Sequence, residues 1–120
     1  MDVLVLLIAA GFAAMGLAAI MRPYDILAQF GVEVDTVEGR NEVRAVYGGF
    51  GLAIAAILAV AVLGDPDTRD GILVAVSIAL FGMAGGRLAS AALERPRSAY
   101  PVWVFFAIEV VSGIVLLIAT

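Results

Sequence analysis

No cysteine, histidine or lysine occurs among the 120 residues, and each absence removes a class of chemistry. Without cysteine there is no disulfide, haem–thiolate, iron–sulfur or zinc–thiolate site. Without histidine the usual proton shuttle near neutral pH is missing. All basic residues are arginine, seven against eleven acids, for a net charge of -4. That balance leaves no basic stripe to displace counterions, so no nucleic-acid partner is expected. No metal-ligand constellation and no nucleophile beside a base is visible. Neither a cofactor, a metal nor an enzymatic activity is therefore expected.

What remains is mostly hydrocarbon. The apolar fraction is 63% and the mean hydropathy +1.09, against about 45–50% apolar residues in a soluble domain. A small water-soluble fold exposes too much of its surface to hide so much hydrocarbon. The bilayer is the expected solvent. A helical span needs about 20 mostly apolar residues to cross roughly 30 Å of hydrocarbon. Four such runs occupy about residues 3–21, 43–63, 72–93 and 101–120. The reading is an all-α, single-domain protein over residues 1–120, an antiparallel bundle of four transmembrane helices. The first run carries Asp2 rather than a basic n-region, is long, and has no A-x-A-like site after it, so it reads as a retained helix and not a signal peptide.

Arginine placement sets the expected orientation. Arg22, Arg40, Arg44, Arg95 and Arg97 flank the first and third connections, whereas the second holds only Arg69 beside Asp65, Asp67 and Asp70. The positive-inside rule places connections one and three in the cytoplasm and both termini outside. Tyr24, Tyr100 and Trp103 fall at the same boundary, where amphipathic rings favour the interface. In the first connection, Pro23 suits a first helical position. Leu27, Phe30 and Val34 follow at helical spacing, so either a short interfacial helix or an ordered loop packed under the bundle is expected there.

Two charges interrupt the apolar runs. Arg87 lies six residues before the end of the third run and Glu109 eight residues into the fourth. At 1.5 Å rise per residue both lie at a depth of roughly 9–12 Å. A lone charge at mid-bilayer costs about 2.5–3.5 kcal/mol on insertion scales. Two opposite charges at matched depth in sequential spans can offset part of that cost by pairing. Arg87 and Glu109 are therefore expected to form an inward-facing ion pair, either as a register lock or as part of a working site. At helical spacing Arg44, Tyr47, Gly48 and Gly51 share a face at the head of the second run, while Glu42 points with Val46 and Gly49. A polar cluster of Glu42, Arg44, Tyr47, Arg87, Ser90, Glu109 and Ser112 is expected in the cytoplasmic third of the bundle. Gly48, Gly49, Gly51, Gly82, Gly86 and Gly113 are expected to admit neighbouring helices. The bland readings are that Arg44 snorkels to head groups and that Ser90 and Ser112 bond to their own helices.

Taken together, Pro23, the stretch N-E-V-R-A-V-Y-G-G at residues 41–49, Gly86–Arg87–Ser90 and Glu109 are similar to the pattern of an uncharacterised bacterial family of small four-helix membrane proteins, a domain of unknown function. The resemblance runs the length of the chain and implies that the polar cluster is the family's site. It implies no activity. On the residues themselves the leading expectation is binding of a lipid-like or amphipathic ligand at the cluster. An accessory or scaffold subunit comes next, then a proton- or cation-transporting homo-oligomer. Membrane lipids and another membrane protein, or a second copy, are the expected partners.

Overall fold

A computed structural model describes all residues, Met1–Thr120. The chain is all-helical, without strands. The elements are α1 (Asp2–Met21), α2 (Pro23–Ala28), α3 (Val37–Val43), a π-helical turn (Arg44–Gly49), α4 (Phe50–Leu63), α5 (Pro66–Leu93) and α6 (Val102–Ile118). The segments from α3 to α4 form one continuous helix, Val37–Leu63. Three helices, Asp2–Met21, Val37–Leu63 and Pro66–Leu93, are long and apolar enough to cross a membrane. The fourth apolar helix, α6, has 17 residues, roughly 26 Å at 1.5 Å per residue.

Local chemistry explains the boundaries. Pro23 and Pro66 occupy the first helical positions of α2 and α5, where a missing N–H costs nothing. Thr36 caps α3 by accepting the Gly39 N–H at 2.9 Å. Asp65 caps α5 by accepting the Thr68 N–H at 3.0 Å, and the Thr68 hydroxyl donates to its other oxygen at 2.8 Å. These bonds favour the ionised form and hold the Asp65 carboxyl below its ordinary value. A depressed carboxylate stabilises the fold above its unfolded-state pKa, and that contribution is lost as pH falls through the folded-state value. Asp65→Ala is expected to lower the melting temperature at neutral pH, with the difference closing as the medium is acidified; a gap independent of pH would remove this account of the cap.

The short helix of the first connection ends in a Schellman motif. Gly31 takes φ +77°, its N–H reaches the Ala28 carbonyl at 2.9 Å, and the Val32 N–H reaches Leu27 at 3.1 Å. Only glycine adopts that backbone freely.

The long helices pair antiparallel, as their contacts show. Gly16 of α1 lies against Gly48 and Leu52, while Phe12, one turn earlier, lies against Gly51. On the other side, Arg87 and Ser77 of α5 meet Glu109 and Gly113 of α6. α1 thus packs along the π turn and α4, α5 along α6, with lighter α4–α5 and α1–α6 seams. One core of Val5, Ala9, Leu58, Ala61, Leu73, Val76, Leu80 and Leu116 fills the end near the α4–α5 turn. A smaller one, Ala19, Val34 and Val43 with Ile26, Leu27 and Tyr47 packed on it, fills the end near the first connection.

Only 19 of 120 residues are buried, and Leu7, Met21, Leu63, Ile78, Leu93 and Ile118 are all more than 60% exposed. Soluble monomers rarely show apolar patches beyond a few hundred Å². A protein whose outside is as oily as its inside is matched to lipid.

Candidate functional site

The π turn is where the motif at residues 41–49 departs from ordinary helix. Hydrogen bonds reach five residues ahead in such a turn, and isolated π turns are frequent at functional sites. Here the buried face steps from Val43 to Gly48, five residues, and then to Gly51, three. The turn seats Gly48 and Gly51 against α1. A Cβ on Gly48 would stand 2.7 Å from the Ile20 side chain, and one on Gly51 would stand 3.1 Å from the Phe12 carbonyl.

Arg44 is exposed, and its Nε–H donates to the Ile20 carbonyl at 3.0 Å. That satisfies an orphan acceptor at the end of α1 and places a cation at the negative pole of the helix. Tyr47 is half-buried against the smaller core. Glu42, Val43, Val46 and Tyr47 form one wall of a half-open cleft of about 420 Å³. Leu27, Val32 and Val34 of the first connection supply the opposing apolar surface, and Glu33, Asp35 and Thr36 supply further polar groups.

The second centre lies between α5 and α6. The Nε–H of Arg87 donates to both Glu109 oxygens, at 2.8 and 3.0 Å, and Nη2 approaches Oε1 at 2.7 Å. Glu109 is 4% exposed, so its charge has little other solvation. Phe30 and Phe105 flank the guanidinium, with Arg87 Cζ 5.8 and 5.7 Å from their ring centroids, within cation–π range. The two rings also pack on one another at 5.6 Å. The Tyr100 hydroxyl donates to the Gln29 side-chain amide oxygen, Oε1, tying the third connection to the first beside this aromatic cover.

The expected single cluster is therefore divided. Arg87 and Glu109 meet, but Arg44 and Tyr47 sit on the π turn, which packs along α1, and Glu42 on α3 just before it; the contact of this long helix with α5 comes from α4, beyond the motif. Close approach at Gly16, Gly48 and Gly51 is the reason, because it commits the motif's face to α1. Ser90 is exposed and Ser112 half-buried; neither hydroxyl joins either centre or bonds to its own helix. The glycines divide too. Gly48, Gly51 and Gly113 pack closely, whereas a Cβ on Gly82 or Gly86 would meet nothing within 4 Å, and one on Gly49 only the Arg44 carbonyl at 3.8 Å. The G-x-x-x-G face of α5 is turned outward, contrary to its expected place inside the bundle.

Two residues that matter were not assigned these roles from the sequence. The sequence places Phe30 only in a segment that is either an interfacial helix or a loop packed under the bundle, and gives it no part beside Arg87. Ser77 is fully buried and donates to the Gly113 carbonyl at 2.8 Å, where it binds α5 to α6. On the opposite side of the molecule Arg69 pairs with Asp2 at 2.8 Å, joining the starts of α5 and α1.

No curated protein and no solved structure matches this chain. Residues 1–120 match the family described as a domain of unknown function (DUF4345), and the chain belongs to that family.

Proposed function

We propose that this is a small membrane protein crossing the bilayer four times, which binds an amphipathic ligand in the cleft walled by Glu42, Val43, Val46 and Tyr47. One observation carries the reading: the motif that marks the second span lines a cleft of about 420 Å³, within the roughly 300–1,000 Å³ usual for small-molecule sites. Its apolar walls suit a hydrocarbon chain. Its polar groups are Glu33, Asp35, Thr36 and Glu42, so the ligand's head is cationic or donates hydrogen bonds. The proposal is one of binding without catalysis.

The orientation we propose places both termini outside and the cleft on the cytoplasmic side, in a bacterial inner membrane. The pairing of Arg69 with Asp2 supports it, since it neutralises the only arginine on the other side. Transport is disfavoured. Both oxygens of Glu109 are engaged by Arg87, and the core beyond is apolar apart from Ser77, whose hydroxyl is already bonded.

Val46→Trp, which fills the cleft, and Glu42→Gln, which removes a charge from it, test the site. Native mass spectrometry of protein in nanodiscs cut directly from membranes is expected to show an adduct on the wild type that is lost in the first variant and weakened in the second. An adduct retained equally by all three would exclude the cleft as its seat. The open Gly82–Gly86 face favours a second reading, a helix of a larger membrane assembly docked on α5. That reading predicts co-purification of a stoichiometric partner, lost on Gly86→Leu.

A further inference from the structure

We propose that Arg40 and Arg44 together form a site for the phosphate of a membrane-lipid headgroup, at the corner where α1 ends and α2 begins. The seven arginines are not equivalent. Arg22, Arg69 and Arg87 each pair with a carboxylate, Asp25, Asp2 and Glu109 respectively. The other four have no such partner, and of these only Arg40 and Arg44 are held in place. Arg40 Cζ lies 5.8 Å from the centroid of the Tyr24 ring, and the Arg44 Nε is anchored to the Ile20 carbonyl at 3.0 Å.

Tyr24 and Ile20 flank the α1–α2 junction, so both arginines are anchored at one corner, beside the paired Arg22 and Asp25. Arg40 and Arg44 are also four residues apart, one helical turn, which makes them neighbours on a helix surface. An anchored Nε leaves both terminal nitrogens of Arg44 uncommitted, the fork that matches a phosphate oxygen pair. Two arginines without a carboxylate partner beside an interfacial tyrosine attract the anionic phosphates of a bilayer head-group layer, by about 1 kcal/mol per arginine near the surface. Glu33 and Asp35 share a cleft with Arg40 and repel an anion on that flank, which leaves the space between Arg40 and Arg44 as the seat. This site is separate from the ligand cleft, whose polar groups are acidic, and does not depend on it.

The test uses the full chain in nanodiscs of phosphatidylcholine doped with a minority of phosphatidylglycerol, with lipids retained on release counted by native mass spectrometry. At about fivefold per arginine near an anionic lipid surface, Arg40→Gln is expected to cut retained phosphatidylglycerol about fivefold, and Arg40→Gln with Arg44→Gln more than tenfold. Arg95→Gln with Arg97→Gln, which removes two unheld arginines, is expected to change retention little. The Arg40 side chain makes no hydrogen bond in the fold, and its backbone bonds survive substitution, so its single variant reports binding even if loss of the Arg44–Ile20 bond unfolds the double. Unchanged retention in Arg40→Gln, or an equal loss in the Arg95/Arg97 control, overturns the proposal. Displacement of the retained lipid by inorganic phosphate overturns the lipid as its source and leaves a free-phosphate site; resistance to phosphate supports the lipid.

Discussion

Arg87→Leu alone is expected to cost more stability than Arg87→Leu combined with Glu109→Gln. The single change leaves a carboxylate that is 4% exposed without a partner, and removing one member of a buried pair costs about 3–5 kcal/mol. The double change also removes the carboxylate's charge, so the remaining side chains are neutral and most of the desolvation penalty disappears. Glu109→Gln alone strands the guanidinium between Phe30 and Phe105, with its charge uncompensated. A coupling of about 1–3 kcal/mol is expected between the two positions. Thermal unfolding in a mild detergent, for wild type, both singles and the double, measures it. Additive losses would show that the contact seen at 2.7 Å carries no coupling energy.

Glycine substitutions separate packed helix faces from open ones with effects of opposite sign. A Cβ on Gly16 would fall 2.8 Å from the Gly48 carbonyl and 2.9 Å from the Leu52 backbone nitrogen. Both are backbone atoms, which cannot rotate away, so Gly16→Ala forces α1 and α4 apart and is expected to cost about 1–3 kcal/mol. Gly86→Ala meets nothing. There the methyl lowers the helix's conformational freedom in the unfolded chain without a clash, and the protein is expected to gain about 0.5–1 kcal/mol. Unfolding midpoints of the two variants, measured side by side, check the contrast. A destabilising Gly86→Ala in purified monomer would mean that α5 packs there after all.

The sequence made some of this legible for identifiable reasons. Arg87 and Glu109 stand out because charges are rare in apolar runs, and similar distances from the connection between two sequential apolar runs leave them few other partners. Pro23 marked α2 because its ring fits a helix start, and the spacing of Leu27, Phe30 and Val34 marked the segment behind it as ordered. What could not be read was partner choice. Gly48–Gly51 and Gly82–Gly86 are chemically alike, yet one pair seats α1 and the other faces outward. A small residue announces that an approach is possible, not from which helix.

The π turn was hidden for a different reason. A periodicity of 3.6 put Arg44, Tyr47, Gly48 and Gly51 on one face, but Val43 and Gly48 are held in register by a five-residue step that no residue type announces. That step seats Gly48 and Gly51 against α1 and so divides the polar cluster, with Arg44 reaching the end of α1 while Arg87, flanked by Phe30 and Phe105, pairs with Glu109. The cleft is hidden with it, since its second wall comes from both sides of the Gly31 turn, Leu27 before it and Val32 and Val34 after it.

The proposed topology crosses the bilayer four times, with the arginine-rich connections and the motif's cleft on the cytoplasmic side. The absence of cysteine makes the direct test clean. Asp67→Cys and Arg97→Cys, made separately, are treated in intact cells with a membrane-impermeant maleimide and again after lysis. Labelling of Asp67→Cys in intact cells, with Arg97→Cys labelled only after lysis, is the predicted result. Labelling of both positions from the same side, or of Arg97→Cys alone in intact cells, would contradict it.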